Sequence, residues 1–347
     1  MNAMMQAALL VEPGRFEVRD VAVPALGPDD VLVRVERCGI CGTDIHMFRG
    51  HYAADRLPII PGHEFSGTLA RLGAGVRHLR EGQRVVCDIN VGCGSCYYCR
   101  RNEVLNCPQM EQIGIGRDGA FADYVAVPAR LVIPAPDDAG FDLLALVEPV
   151  ACVVRAAAKA GTRFGQSVAI LGAGPIGNLH VQMMRLVGAV PIMVVEPSAE
   201  RAALALEAGA DVAVTDISEA RAIVHRHTGG RGADVVIESV GLASSYRLAF
   251  DLIRPGGHVA AFGIAGAGES VPLPLLDTVL RENSVKGSVA GMGQDMHDAL
   301  ALLVHGRFRT EAFRARVYPL ARIGQAFGDL PRHPGALKVQ IAMGPPG

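Results

Sequence analysis

The sequence predicts an α/β protein in which a doubly wound parallel sheet is inserted into an irregular β domain. Three observations carry this reading. Between about residues 150 and 290, short apolar runs alternate with helical stretches across short links. The residues before that region hold short alternating segments punctuated by Gly and Pro. The loop LGAGPIG joins the first apolar run of the alternating region to its first helical stretch. Strands and helices in alternation bury their apolar surfaces as a parallel sheet with helices on both faces.

The opening stretch, MNAMMQAALLVEPGRFEV, reads as a first strand. It has no basic segment and meets Glu12 early, unlike a signal peptide. VLVRVER (31–37), SGTLARLG (66–73), QRVVCDI (83–89) and FADYVAVPA (121–129) read as strands by their alternation. Near residue 150 the pattern changes. SVAILG (167–172) leads to a helix over about 175–187, then PIMVVE (191–196), a helix within SAERAALALEAGA (198–210), a short strand at 211–214 and a helix near 218–227. DVVIES (234–239), a helix near 243–252 and GHVAAFG (257–263) continue the alternation. VKGSVAG (285–291), a helix near 295–305 and the closing strand KVQIAM (338–343) complete the chain. The expected domains are 1–150 with 290–347, and 151–289.

A chain of 347 residues suits two domains, and its 50% hydrophobic content supplies a sizeable core. The net charge of -2 comes with no long basic run, which argues against nucleic acid or a membrane surface as partner. No apolar run approaches the roughly 18 residues of a membrane-spanning helix. A small-molecule substrate is the expectation.

Cys93, Cys96, Cys99 and Cys107 form the pattern C-x2-C-x2-C-x7-C. A loop with that spacing can wrap four thiolates around one tetrahedral Zn²⁺, the closed form that structural zinc takes. The alternative for eight cysteines is a disulfide framework in a secreted protein. Half of them crowd into one loop of a large chain with an ample core, which favours metal. Cys38, Cys87 and Cys152 read as small buried hydrophobes, and the expected compartment is the reducing cytoplasm.

In LGAGPIG, Gly172, Gly174 and Gly177 have the spacing G-x-G-x-x-G, with Pro175 and Ile176 between them. Following a strand and opening a helix, Gly172 permits a tight turn and Gly174 lets a pyrophosphate approach the helix N-terminus. Gly177 allows close packing of helix on sheet. Glu196 ends the second strand nineteen residues after Gly177. A carboxylate there accepts hydrogen bonds from the ribose hydroxyls of NAD and repels a 2′-phosphate, so NAD is expected ahead of NADP. Arg201 is a further candidate cofactor contact, against the alternative of a helix-surface charge. CGTDIH (41–46) and PGHEFSG (61–67) supply Cys41, His63 and Glu64 as S, N and O donors, and VEPVAC adds Glu148. Three protein ligands with one open position make the catalytic form of zinc.

The pieces GICGTDIH, IIPGHEFSG, the four-cysteine loop, EPVAC, LGAGPIG and VKGS, in that order, give the chain its resemblance to a known family. It resembles the zinc-dependent medium-chain dehydrogenases (the zinc-containing alcohol dehydrogenase family), in their polyol, sorbitol and threonine dehydrogenase-like branch. The resemblance implies a GroES-like β-rich catalytic domain, a Rossmann domain, NAD and two Zn²⁺ per chain. It also implies a homo-oligomer, tetramer or dimer, formed through the Rossmann domain, where 271–289 is apolar enough to supply an interface. By this resemblance Cys41, His63 and Glu64 are ligands of the catalytic zinc. Glu148 ligates the metal or holds its water, and which glutamate binds directly stays open. Asp44 orients the ligand histidine, and Thr43 and His46 form a proton relay. The implied reaction moves a hydride from a secondary alcohol, a polyol or sugar alcohol, to NAD⁺. Threonine or diol oxidation, NADP-dependent ketone reduction, and a non-enzymatic nucleotide-binding relative are the alternatives. Gly42, where ethanol-type relatives carry a basic residue, points to the polyol branch. The absence of Trp argues against threonine, and Met47 argues against sorbitol itself. Phe48, His51 and Tyr52 are candidates for the substrate pocket or for loop packing.

Overall fold

The computed structural model describes residues 3–266, 268–330 and 335–344. The expected domains also take in residues 1–2, 267, 331–334 and 345–347, which lie outside the described residues. In chain order come β1 (Met4–Glu12), β2 (Arg15–Ala22), β3 (Asp30–Gly39), α1 (Gly42–Phe48), β4 (Glu64–Leu72), β5 (Arg84–Cys87), β6 (Asn90–Val91) and α2 (Tyr97–Arg100). Then follow β7 (Glu111–Gln112), β8 (Tyr124–Pro128), β9 (Val132–Pro134), α3 (Phe141–Leu144) and α4 (Val147–Ala160). The alternating region holds β10 (Val168–Leu171), α5 (Pro175–Val187), β11 (Ile192–Val195), α6 (Ala199–Ala208), β12 (Val212–Val214), α7 (Ala220–His227), β13 (Ala233–Glu238), α8 (Ala243–Leu252), β14 (Ile253–Ala261), α9 (Leu275–Leu280) and β15 (Ser284–Gly287). The chain closes with α10 (Gln294–Val304), α11 (Glu311–Arg314), β16 (Arg316–Pro319), α12 (Ile323–Asp329) and β17 (Val339–Ala342).

Among the described residues, those up to 151, 291–306 and those from 310 onward form one compact unit. Residues 152–290 and 307–309 form the other. The first unit is built on a seven-stranded sheet in the order β16-β17-β3-β4-β5-β9, with β8 also paired to β3. Val31, Val33 and Val35 of β3 join Phe65 and Leu69 of β4 and Val125 and Val127 of β8 in one core. Their two-residue spacing puts them on one face of the pleat. The opening stretch is a hairpin rather than one strand. Pro13 brings no N–H to a ladder and Gly14 adopts φ 82°, so the chain turns back at that point.

Among the described residues the second unit has six strands, all parallel, in the order β12-β11-β10-β13-β14-β15. Numbered from β10 this is 3-2-1-4-5-6, the doubly wound order of dinucleotide-binding sheets. Val168, Ile170, Val194 and Val235 pack on one side. Ala169, Leu171, Met193 and Val236 pack on the other. Burial on both faces is why these strands read as unbroken apolar runs. VKGSVAG leaves the sheet at Gly287, earlier than its pattern suggests. Beyond it, Asn90 Nδ2 donates to Gly291 O at 3.0 Å and Gly293 N donates to Asp88 Oδ2 at 2.8 Å, so side chains of the first unit hold that backbone. Arg309, in the span expected to belong to the β domain, is bonded instead to Gln182 of α5 through both its backbone groups.

His180 of α5 is fully buried, neither ring nitrogen has a hydrogen-bond partner among the described residues, and its ring meets Phe262 edge-on at 5.0 Å. Burial pushes its pKa down to about 3 from an ordinary 6.5. Below pH 6.5 the unfolded chain takes a proton that the folded chain refuses, so stability falls with pH from there towards about 3. From pH 6.5 to about pH 4.5 the wild type is expected to lose roughly 2 kcal/mol more than His180→Leu, read from urea midpoints. Parallel pH profiles for the two proteins would contradict this.

Candidate metal and cofactor sites

Cys41 is the N-cap of α1, and Asp44, three residues on, reaches back so that its Oδ2 accepts the Cys41 N–H at 2.8 Å. The same carboxylate has a second task. Its Oδ1 lies 3.5 Å from His63 Nδ1, and both side chains are buried. With Nδ1 turned to Asp44, the Nε2 side of the ring is left for Cys41. Burial opposes a charged imidazole here. The Asp44 and Cys41 charges and hydrogen bonds outweigh it and hold the His63 pKa well above normal. The pocket therefore has an anionic character that favours a cation. The donor atoms of Cys41, His63 and Glu64 all lie within 4.8 Å of one another. Glu148, buried on α4, is not one of that group.

Thr43 Oγ1 lies 3.8 Å from Cys41 Sγ. His46 follows one turn later on α1, its pKa lowered by partial burial and by the His51 and Arg49 charges. His51 donates its backbone N–H to His46 O at 2.9 Å. Phe48 stacks on Phe16 at 5.5 Å and packs against Phe327, which assigns it to the core rather than to a pocket. His51 and Tyr52 are exposed.

One participant is invisible in the motifs. Lys338, only 4% exposed, donates to both oxygens of Glu64, at 2.6 Å to Oε1. Burial would lower the lysine pKa, but the Glu64 charge leads a set of anions that raises it instead. The sequence signal was a lone cation inside the apolar run KVQIAM. A lysine in such a run is almost never buried without a partner.

The four sulfurs of Cys93, Cys96, Cys99 and Cys107 also lie within 4.8 Å of one another. None is in a disulfide, and Cys93 Sγ and Cys99 Sγ are 4.0 Å apart. Ligand sulfurs on a tetrahedral Zn²⁺, each at about 2.3 Å, stand about 3.8 Å apart, so the set fits that ion. Cys93 N donates to Cys107 Sγ and Cys99 N to Cys96 Sγ, each at 3.5 Å. The Ser95 and Cys96 backbone N–H groups push the Cys93 thiol down to about 6.

In the second unit, Gly174 caps α5, with Pro175 in its first turn and Ile176 and Gly177 next. Gly172 has φ 88°. A Cβ at Gly177 would collide with the Gly172 carbonyl, whereas one at Gly174 would project into open space. That open side, at a helix start with free N–H groups, fits a pyrophosphate. Glu196 is buried at the end of β11. Its Oε2 accepts the Ala173 N–H at 2.8 Å and its Oε1 the Ser198 N–H at 2.9 Å. Arg201 lies in the first turn of α6, its Nε buried with no partner among the described residues.

Residues 27–137 match the alcohol dehydrogenase GroES-like domain, and residues 175–305 match the zinc-binding dehydrogenase domain. A D-arabitol-phosphate dehydrogenase of Enterococcus avium is 33% identical over 99% of both chains. An L-threonine 3-dehydrogenase of Mesorhizobium japonicum is 35% identical over 77% of this chain and 79% of its own. A zinc-binding dehydrogenase from Sinorhizobium meliloti 1021, provisionally so described and solved with NADP, superposes with a TM-score of 0.91. It shares 34% identity over 98% of this chain and 100% of its own. Fold and donor sets define a metal- and nucleotide-using oxidoreductase. The chain belongs to the zinc-dependent medium-chain dehydrogenases. It is an oxidoreductase of the type that acts on CH–OH donors, with zinc and a nicotinamide cofactor. Among the described residues no helix is long and apolar enough to cross a membrane.

Proposed function

We propose that this chain oxidises a secondary alcohol of the polyol or sugar-alcohol type with NAD⁺, using one catalytic and one structural zinc. The observation that carries this is the meeting of Cys41, His63 and Glu64 donors within 4.8 Å, beside the Thr43 hydroxyl. The D-arabitol-phosphate dehydrogenase relative supports a polyol substrate, free or phosphorylated.

Cys41 and His63 would hold the catalytic metal, with Glu64 or Glu148 as the carboxylate of the site. When bound, the metal supplies Lewis acidity at the substrate oxygen and the nicotinamide ring exchanges the hydride. The protein does the rest. Asp44 fixes the His63 ring and leaves its other nitrogen free to ligate. Thr43 can accept the substrate hydroxyl proton while passing on its own, and His46 on the same helix is the base at the end of that relay. Glu196, held by two backbone N–H groups, presents a fixed negative charge to a ribose and repels a 2′-phosphate. NADP remains the second reading, favoured by the unpaired Arg201 Nε and by the NADP in the Sinorhizobium protein.

The direct test is reduction of NAD⁺ and NADP⁺ on pentitols, hexitols, their phosphates, diols and threonine, with and without a strong chelator. Chelator-sensitive NAD⁺ reduction on a polyol is expected, with Glu196→Ser lowering the NAD⁺/NADP⁺ preference at least tenfold. Indifference to the chelator, or a preference for NADP⁺ in the wild type, would refute the reading.

Cys41→Ser is expected to release one zinc and abolish turnover while the denaturant midpoint holds. Cys96→Ser should release the other and lower the midpoint first, because a closed site contributes folding energy. Zinc analysis with parallel denaturation checks this, and equal loss of fold in both variants would contradict it.

The proposed assembly is a homo-oligomer, tetramer or dimer, formed at the β15 edge. α9 exposes Leu275, Leu276, Val279 and Leu280, each more than 70% accessible, and β15 is exposed along its length. An unpaired sheet edge with an apolar helix beside it is a template for a second copy. Light scattering is expected to give a multiple of 36.5 kDa, and a monomer would exclude this interface.

A further inference from the structure

Glu238, the last residue of β13, is fully buried, and none of its hydrogen-bond partners is a cation. Its Oε1 accepts the Val240 and Gly241 N–H groups, each at 3.0 Å, and the Ser245 hydroxyl at 2.6 Å. Its backbone carbonyl accepts the Phe262 and Gly263 N–H groups at 3.0 and 2.9 Å. One residue therefore holds the turn after β13 and the turn after β14. The two turns are closely fitted. A Cβ at Gly241 would strike Ile264 O, and one at Gly263 would strike Gly241 N and Glu238 Oε2. Burying a carboxylate is unfavourable, and an apolar side chain would continue the run VVI without that cost. What the carboxylate adds is a fixed turn.

Ser239, the first residue of that turn, reaches the glycine loop. Its Oγ donates to Leu171 O at 2.7 Å and lies 3.3 Å from Gly172 O, and its N–H donates to Leu171 O at 3.1 Å. There β10 passes into the loop. A Cβ at Gly177 would lie 3.1 Å from the same hydroxyl, and one at Gly172 would lie 2.8 Å from Val240 Cγ2. Residues 239 and 240 thus close on both ends of the tight turn, Gly172 and Gly177, and leave the open side at Gly174 untouched. Resting on the reading of that open side as the pyrophosphate site, we propose that Glu238 and Ser239 are positioning residues for the cofactor. Glu238 sets the backbone from 239 to 241, and Ser239 passes that setting to Leu171 and Gly172. The N–H groups at the start of α5 are then aligned before the phosphates arrive. A turn that had to be ordered by its ligand would lose affinity, and one held in advance avoids that loss.

The test measures binding of NADH, ADP and adenosine to wild type, Ser239→Ala and Glu238→Ala, with urea midpoints in parallel. NADH is followed by its fluorescence, and the other two by competition with it. Ser239→Ala is expected to weaken NADH and ADP about fivefold, the worth of one ordinary hydrogen bond. Glu238→Ala should weaken them further. Adenosine carries no phosphate and should bind both variants as it binds wild type. If Glu238→Ala does not fold, Ser239→Ala decides. A merely structural role leaves the ratio of ADP to adenosine affinity unchanged, whatever the urea midpoint does, and that result overturns the proposal. Wild type that binds no NADH, or binds ADP no tighter than adenosine, refutes the pyrophosphate site itself and takes this proposal with it.

Discussion

The buried contact between Glu64 and Lys338 constrains everything around the first donor cluster. It ties the first residue of β4 to the residue before β17, across the end of β3. His63 adjoins Glu64, and Cys41 comes two residues after β3 ends. The β3–β4 register places Glu64, and Cys41 and His63 stand in the short segments next to those strands. Removing one partner of such a pair leaves a buried charge uncompensated, at a cost of about 3–5 kcal/mol. That cost is a large fraction of the roughly 5–15 kcal/mol by which a domain is stable.

Asp44 complements this constraint from the helix side. One of its oxygens closes the start of α1 and the other faces His63, so a single carboxylate sets both the Cys41 backbone and the imidazole. The second unit follows the same economy. Glu196 is bonded to the backbone of the glycine loop and of the α6 start, so one carboxylate ties the turn after β10 to the turn after β11.

Much of this was legible in the sequence because the relevant physics is local. The parallel sheet showed itself through runs such as VAIL and IMVV, which must be apolar because both faces are buried. The donor residues sit in short motifs whose spacing is itself the chemistry. What could not be read depends on contacts distant in sequence. Lys338 is 274 residues from Glu64, and its burial follows from a strand pairing that no local pattern encodes. α1 escaped notice because GTDIHMF spans only seven residues and is held by a tertiary site more than by propensity. Phe48 showed no local sign of packing on Phe16 and Phe327, residues from opposite ends of the chain.

A crystal structure of the zinc-loaded protein, with anomalous data collected at the zinc edge, tests the central claim most directly. Two peaks per chain are expected. One should lie among the sulfurs of Cys93, Cys96, Cys99 and Cys107. The other should lie between Cys41 and His63. A single peak, or a second peak away from Cys41 and His63, would contradict it.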